Sequence, residues 1–236
     1  MPILPHRFEH IGQCDRVVAS FGVRCLAASM NRILPILGLA GLLGFAVAET
    51  PTLNFDGAVA ETYKTASETD LKIHIFSPDG HDPSKDTRPA VVFFFGGGWN
   101  GGTPSQFEQH CRFLASRGMV AMTADYRVKS RQGTTPKECV ADGKSAVRWI
   151  RANAKRLGVD PNRLAAGGGS AGGHVATATG MVDGYDDPAD EAKDVSSKPN
   201  ALVLFNPVYN NGPEGGWGHS RVKEHWQTCS PAHNIT

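Results

Sequence analysis

Alternating and continuous apolar positions mark the strands of this chain. Leu71 to Phe76 alternates apolar with polar residues, as a half-buried strand does. Residues 90–95 are continuously apolar, which is typical of a parallel strand covered on both faces. Further strands are predicted at 119–124, 164–166 and 201–205.

Helix signals fall between these strands. Thr103-Pro104 and Thr135-Pro136 each place a capping threonine before a proline, with Gln106 or Glu138 three residues after the threonine. Gly118 and Gly158 are expected to end the two helices. The second helix has one apolar face, formed by Val140, Val147, Ile150, Ala154 and Leu157. A later helix of small residues is predicted from Ala171. Strands that alternate with helices predict an α/β fold with a doubly wound, mostly parallel sheet.

The first 48 residues have the pattern of a leader. Arg32 precedes an apolar run at 33–47, and Ala46-Val47-Ala48 fits a cleavage site, so we predict a signal peptide at 30–48. Residues 1–29 are then a non-native N-terminal extension, and 49–236 form the folded domain. The apolar run is shorter than the ~20 residues that span a bilayer, which argues against a stable membrane anchor. We therefore expect a secreted or periplasmic protein.

Charge and cysteine content exclude some functions. The formal net charge of +1 gives no basic footprint for nucleic acid. Cys111, Cys139 and Cys229 show no metal-ligand spacing, so no metal site is predicted. They are expected to be small buried residues, although a Cys111–Cys139 bridge stays open in an oxidising compartment.

The candidate chemistry lies after strand 164–166. Gly168-Gly169-Ser170-Ala171-Gly172 matches G-x-S-x-G, in which a serine occupies a strained turn between a strand and a helix. Small residues also occur where a helix packs closely on a sheet, but here a strand precedes the motif and a helix follows it. We predict that Ser170 is a nucleophile and that the backbone amide of Ala171 faces a developing oxyanion.

A second glycine motif follows strand 90–95. In Phe95-Gly96-Gly97-Gly98-Trp99, consecutive glycines let the backbone approach a substrate carbonyl. Gly97 and Gly98 are therefore the other predicted oxyanion donors. The alternative is a flexible surface loop. The position of the motif between a buried strand and a capped helix argues against that alternative. Trp99 fits either a wall of the acyl pocket or the core.

Together these segments resemble the α/β-hydrolase superfamily, in particular the hormone-sensitive-lipase-like and acetyl-esterase-like carboxylesterases. The resemblance implies a serine esterase without cofactor or metal, acting on small esters such as acetylated carbohydrates or short acyl chains. Phe95 departs from the histidine usual in lipase relatives, which leaves open how the glycine motif is braced. The matching residues are Phe95–Trp99, Asp125–Arg127, Asp142, Ala146–Arg151, Asp160–Arg163 and Gly168–His174.

The rest of a catalytic triad is not found in the sequence. In this superfamily an Asp or Glu and then a His follow the serine, and Cys229-Ser230-Pro231 resembles the segment before the acid-bearing strand. The resemblance thus implies a C-terminally truncated chain that lacks the last strands and helix, the triad Asp and the triad His. We expect His174 to point into packing. His219, His225 and His233 fall in a stretch that could form a lid or substrate wall, and no acid or base is assigned.

Charged residues elsewhere are expected to support the fold. Asp125, Arg127 and Asp142 predict a structural ion pair between a strand end and a helix start. The acidic loop is expected to be solvated; it contains Asp183, Asp186, Asp187, Asp190 and Asp194.

Three functions remain open from the sequence. The first is a serine carboxylic-ester hydrolase, and the second is a non-catalytic remnant that binds acyl or sugar ligands. The third is a serine peptidase of the prolyl-oligopeptidase type, which the motif at 95–99 disfavours.

Overall fold

A six-stranded mixed sheet forms the centre of the computed structural model, which describes residues 53–66, 68–190 and 192–235. The strand order is β1-β2-β4-β3-β5-β6. β2 pairs antiparallel with β1 and β4, whereas the β4–β3, β3–β5 and β5–β6 pairs are parallel. The strands are β1 Val59–Ala66, β2 Thr69–Phe76, β3 Arg88–Phe94, β4 Val120–Ala124, β5 Val159–Gly169 and β6 Ala201–Phe205.

Helices fill the connections between the parallel strands. Within the described residues, 3₁₀ helices lie at Pro104–Phe107, Lys223–His225 and Pro231–His233. The α-helices of the described chain are α1 Glu108–Ala115, α2 Lys129–Gln132, α3 Pro136–Ala152, α4 Ala154–Leu157, α5 Ala171–Met181, α6 His219–Val222 and α7 Trp226–Cys229. The predicted α/β class with a mostly parallel sheet is confirmed.

The core lies on both faces of β3. Val92 and Phe94 pack in the cluster that includes residues of α3 and α5, such as Ile150 and Val175. Val91 and Phe93 belong to the opposite cluster, which Cys111 of α1 joins. Burial on both faces is why β3 reads as a continuous apolar run.

Some element boundaries differ from the sequence prediction. β1 was not anticipated, and β5 begins five residues before the predicted Leu164. The helix expected from Thr103 opens as a 3₁₀ turn without a side-chain cap bond. The Thr135 capping box is confirmed. The predicted helical face at 140–157 is interrupted after Ala152, although all five of its apolar residues are buried.

Cysteine and leader predictions have different outcomes. Cys111, Cys139 and Cys229 are buried and unpaired, so the Cys111–Cys139 bridge does not form in this structure. The predicted extension at 1–29 and signal peptide at 30–48 lie outside the described residues. None of the helices in the described ranges is long and apolar enough to cross a membrane.

The acidic loop after α5 is not merely solvated, which corrects the prediction. Lys64 Nζ lies 2.9 Å from Asp142 and 2.6 Å from Asp187, and Arg148 contacts Asp190 at 3.4 Å. The loop therefore supplies counter-charges to cations that are mostly buried against α3 and β1, since a buried charge is costly without a partner. We call this set the ionic cluster: Lys64, Arg127, Asp142, Arg148, Asp186, Asp187 and Asp190.

β6 is the outer strand of the described sheet, and its side chains are only partly covered. Leu202 and Val203 are each 37% exposed and Phe205 is 43% exposed. In the described sheet β6 pairs with one strand, β5, so its apolar side chains are not fully buried.

Candidate active site

Ser170 forms a strained turn between β5 and α5. Its φ and ψ angles are 54° and −119°, a conformation that L-residues rarely adopt. Its amide donates to the carbonyl oxygens of Phe205 and Asn206 at 3.0 and 3.1 Å, and its own carbonyl accepts from His174 N at 3.1 Å. These backbone bonds hold the turn in place at the carboxyl end of the parallel strands.

Glycines beside Ser170 are required by close packing. A Cβ on Gly168 would lie 2.5 Å from the carbonyl oxygen of Phe94, and a Cβ on Gly172 would overlap the same oxygen. The G-x-S-x-G spacing therefore follows from contact with the end of β3. That contact brings the two glycine motifs together.

The loop at 96–98 lies directly against the serine. A Cβ on Gly96 would be 3.3 Å from Ser170 Cβ. Gly97 has φ +135°, which suits glycine, and it lines the same cleft as Ser170. Gly98 is buried next to Trp217 and Arg221, and the Arg221 guanidinium donates to its carbonyl oxygen.

The backbone amides of the three predicted oxyanion donors lack a backbone partner among the described residues, and of the three residues only Gly97 lines the cleft that holds Ser170. No backbone carbonyl of the described residues accepts a hydrogen bond from Gly97, Gly98 or Ala171. Ala171 is the first residue of α5, where helix geometry leaves amides unpaired and carries a partial positive charge. Such amides suit an anionic oxygen, which is the role that the sequence predicts for them.

The cleft in front of Ser170 has a volume of about 730 Å³. Phe107, His110 and Phe205 form an aromatic wall, with the His110 ring 5.3 Å from that of Phe205. The sequence analysis took Gln106 only as a helix-capping residue and did not single out His110. Their spacing of four residues places both on one side of a helical segment, but spacing alone does not show that this side faces the serine. The lining residues are Gly96, Gly97, Gln106, Phe107, His110, Gly169, Ser170, Leu204, Phe205 and Asn206.

His174 points away from the serine, as predicted. It is fully buried, its Nε2 bonds to the Cys229 carbonyl oxygen at 2.9 Å, and its ring packs edge-on against Trp99 at 5.0 Å. Burial lowers the pKa of His174 to about 4, so its neutral form is strongly favoured. This histidine is a packing residue.

The remaining candidate histidines bond elsewhere. His219 Nδ1 lies 2.9 Å from the Asn211 carbonyl oxygen, and His233 Nδ1 lies 2.9 Å from Ser230 Oγ. His225 is 3.6 Å from Glu224. Among the described residues no side chain is hydrogen-bonded to Ser170 Oγ, and no His, Cys, Asp and Glu group could hold a metal ion.

The expected ion pair forms, with one partner different. Arg127 binds Asp142 through Nε at 2.8 Å and Nη2 at 2.7 Å, which confirms the structural pair. Asp125 pairs with Arg131 at 2.7 Å instead. Trp99 is 2% exposed and belongs to the core, so the core alternative is the correct one.

The stability of the protein should fall in mild acid because of His174. Its folded pKa of about 4 is below the unfolded value near 6.5, so only the unfolded chain binds this proton between those values. The stabilisation is complete above pH 6.5 and declines towards pH 4, with a slope of at most about 1.4 kcal/mol per pH unit. Urea unfolding from pH 7 to 4.5 should show a shallower slope in His174→Gln. His225→Gln, at an exposed site, should keep the wild-type slope, and equal slopes in all three would contradict the assignment.

The sheet order and the serine turn define an α/β hydrolase. A sequence profile of the BD-FAE family matches residues 44–208, and the chain belongs to that family. Carboxylesterase NlhH of Mycobacterium tuberculosis is 28% identical over 158 residues, covering 66% of this chain and 42% of that protein. The matched part of the chain thus spans less than half the length of this relative.

Solved esterase structures agree with the fold. The apo form of Thermogutta terrifontis esterase 2 is 46% identical with a TM-score of 0.74, covering 79% of this chain and 70% of that chain. The same esterase phosphoramylated by tabun is 46% identical with a TM-score of 0.73, covering 79% of this chain and 69% of that one. The resemblance to hormone-sensitive-lipase-like carboxylesterases is confirmed.

Proposed function

We propose that this protein is a serine carboxylic-ester hydrolase. The observation that supports the proposal most strongly is the strained Ser170 turn, which opens on the 730 Å³ cleft beside the glycine loop. A serine in this conformation at a strand-to-helix junction is the arrangement that α/β hydrolases use for their nucleophile. Esterases are also prominent among the relatives.

The residues of the proposed site divide the work of acyl transfer. Ser170 Oγ gives up its proton to a general base as it attacks the ester carbonyl, and the carbonyl oxygen becomes an oxyanion. The amides of Gly97, Gly98 and Ala171 donate to that oxygen, where preorganised donors usually contribute most to catalysis. The same proton passes to the leaving group, which departs as the alcohol, and water then attacks the acyl group, which leaves as the acid while a proton returns to Ser170 Oγ.

The general base and its acid partner stay unassigned among the described residues. His174 is buried and bonded to Cys229, and His110 shares the cleft without a hydrogen bond to Ser170. Loss of a triad member typically leaves a rate about 10³–10⁴ over water, which comes from the oxyanion hole and from binding rather than from the serine. This favours slow turnover, and it keeps a non-catalytic ligand-binding role as the second candidate.

The proposed substrates are small esters, including acetylated carbohydrates. The aromatic wall suits an acyl group or a sugar face, and Asn206 adds a polar group to the cleft. No cofactor is required by this chemistry. A secreted or periplasmic location rests on the leader pattern at 30–48.

The nucleophile assignment can be tested with 4-nitrophenyl acetate. We expect the wild-type chain to hydrolyse it at least about tenfold faster than Ser170→Ala, because acyl transfer through Ser170 adds to the residual catalysis of the oxyanion site, which does not need the serine. Ser116→Ala is the matched control, since Ser116 is exposed and, among the described residues, its hydroxyl donates only to the Phe113 carbonyl oxygen. A fluorophosphonate should add to Ser170 alone, as read by peptide mass. Labelling of another residue, or equal rates in wild type and Ser170→Ala, would contradict the esterase proposal and favour the ligand-binding role.

A further inference from the structure

One peptide unit of the glycine loop is held at both ends. The Tyr126 hydroxyl donates to the carbonyl oxygen of Phe95 at 2.6 Å. The amide of Gly96, at the other end of the same peptide, donates to Gln106 Oε1 at 2.5 Å. Because a peptide is planar, two bonds on opposite edges fix its rotation.

This peptide lies between the nucleophile and the predicted oxyanion donor. Gly96 is within van der Waals range of Ser170, since a Cβ there would sit 3.3 Å from Ser170 Cβ. The amide of the next residue, Gly97, donates no hydrogen bond to a backbone carbonyl of the described residues. Rotating the Phe95–Gly96 peptide would therefore redirect the Gly97 amide relative to Ser170 Oγ.

The two braces differ in character. Tyr126 is fully buried, its ring stacks on Phe95 at 4.1 Å, and burial raises the pKa of its phenol well above the usual value, so it stays a donor. Gln106 is exposed on the 3₁₀ turn at the edge of the cleft. Removing its amide therefore disturbs the loop without opening the core.

Gln106 also explains how the loop is braced with a phenylalanine at position 95. Phe95 packs its ring between Tyr126 and the Arg131 guanidinium, which lies 5.9 Å from the ring centre. Its side chain has no polar atom to hold the loop. The bond from Gly96 to Gln106 supplies the missing polar contact, and it leaves Gly97 rather than Gly96 as the free donor.

We propose that Gln106 is a positioning residue, which holds the Phe95–Gly96 peptide so that the Gly97 amide faces the oxyanion formed at Ser170. This inference rests on the proposed esterase function. Gln106 need not touch the substrate. Its loss should lower the rate constant of acylation and leave KM unchanged, whereas loss of a substrate contact would change KM or the preference for acyl-chain length.

The kinetic test compares Gln106→Met and Gln106→Ala with Gln109→Met. The first two remove the acceptor, and the third makes the same change at an exposed position three residues on. We expect the Ser170-dependent kcat for 4-nitrophenyl acetate and butyrate to fall about tenfold in both Gln106 variants, because a misdirected donor loses part of its effect. KM and the acetate-to-butyrate ratio should stay unchanged, and Gln109→Met should match wild type.

A spectroscopic test works even without turnover. In protein labelled with ¹⁵N-glycine, Gln106→Met should shift the Gly97 amide signal and speed hydrogen exchange at Gly96. Gln106→Glu retains an acceptor oxygen and should restore both signals. Absence of Ser170-dependent hydrolysis in wild type would defeat the proposed function alone, and the glycine signals would still decide the role of Gln106. An unchanged Gly97 signal in Gln106→Met, or an unchanged kcat in an active protein, overturns the positioning role.

Discussion

Replacing Asp142 with asparagine should lower the free energy of unfolding by about 3–5 kcal/mol, the usual cost of removing one partner from a buried ion pair. Asp142 is fully buried and accepts from Arg127 through Nε, Nη2 and the backbone amide. Lys64 Nζ lies 2.9 Å from the same carboxylate. Asparagine has nearly the same size, so the loss measures charge rather than volume.

The cause of this loss is two cations left without their shared counter-ion. The side chains of Lys64 and Arg127 are 7% and 10% exposed, so water cannot replace the carboxylate. Asp187 lies 2.6 Å from Lys64 and 3.8 Å from Arg127, and it balances only part of their charge. Urea unfolding should give the value, with exposed Asp194→Asn as the control within about 0.5 kcal/mol of wild type. A loss below 1 kcal/mol in Asp142→Asn would contradict the role of Asp142 as the counter-ion that stabilises Lys64 and Arg127.

Gly172→Ala should damage both the fold and the site. A Cβ at this position would overlap the carbonyl oxygens of Phe94 and Phe95, which are backbone atoms and cannot rotate away. Helix propensity alone would favour alanine by about 1 kcal/mol. Overpacking costs about 1–3 kcal/mol, and contact with backbone places this case at the upper end, so net destabilisation is expected.

The same change should slow labelling of Ser170 by a fluorophosphonate about a hundredfold. The end of β3 must move away from α5, and a displacement near 1 Å at a reacting centre can cost that factor. Gly169→Ala is the matched control for stability, because its nearest contact would be an ordinary 3.5 Å from Phe205 O. Labelling at the wild-type rate in a stable Gly172→Ala protein would show that the close contact between β3 and α5 does not align the site.

The sequence is enough to predict the strands that are buried or lie next to a glycine motif. β3 is continuously apolar because both of its faces are covered, and the small residues of α5 follow from its contact with Phe94. β1 could not be predicted in the same way. Its polar residues, such as Lys64, are buried through ion pairs with residues of α3 and the loop after α5, which no local pattern reveals.

The candidate site shows the same limit. The Ser170 turn and the position of the glycine loop follow from local spacing, and the structure has both next to one cleft. Gln106 and His110 were missed because their importance depends on how the 3₁₀ turn and α1 lie over β3 and β6. Long-range packing of this kind is not encoded in periodicity.

The ionic cluster also limits how early the β1–β2 hairpin can reach its final position during synthesis. Ser145, which accepts from Lys64, lies 81 residues further along the chain, and Asp190 lies 45 residues beyond Ser145. At about 5–20 residues per second, a ribosome needs on the order of 4–16 s for the first interval and 2–9 s for the second. Until Asp142 and Asp187 have been synthesised, Lys64 of the β1–β2 hairpin lacks both carboxylates that pair with it, and the hairpin cannot dock in its final place. During this period the sheet of the nascent chain is incomplete, and unpaired strand edges and apolar surface are exposed for a chaperone to bind.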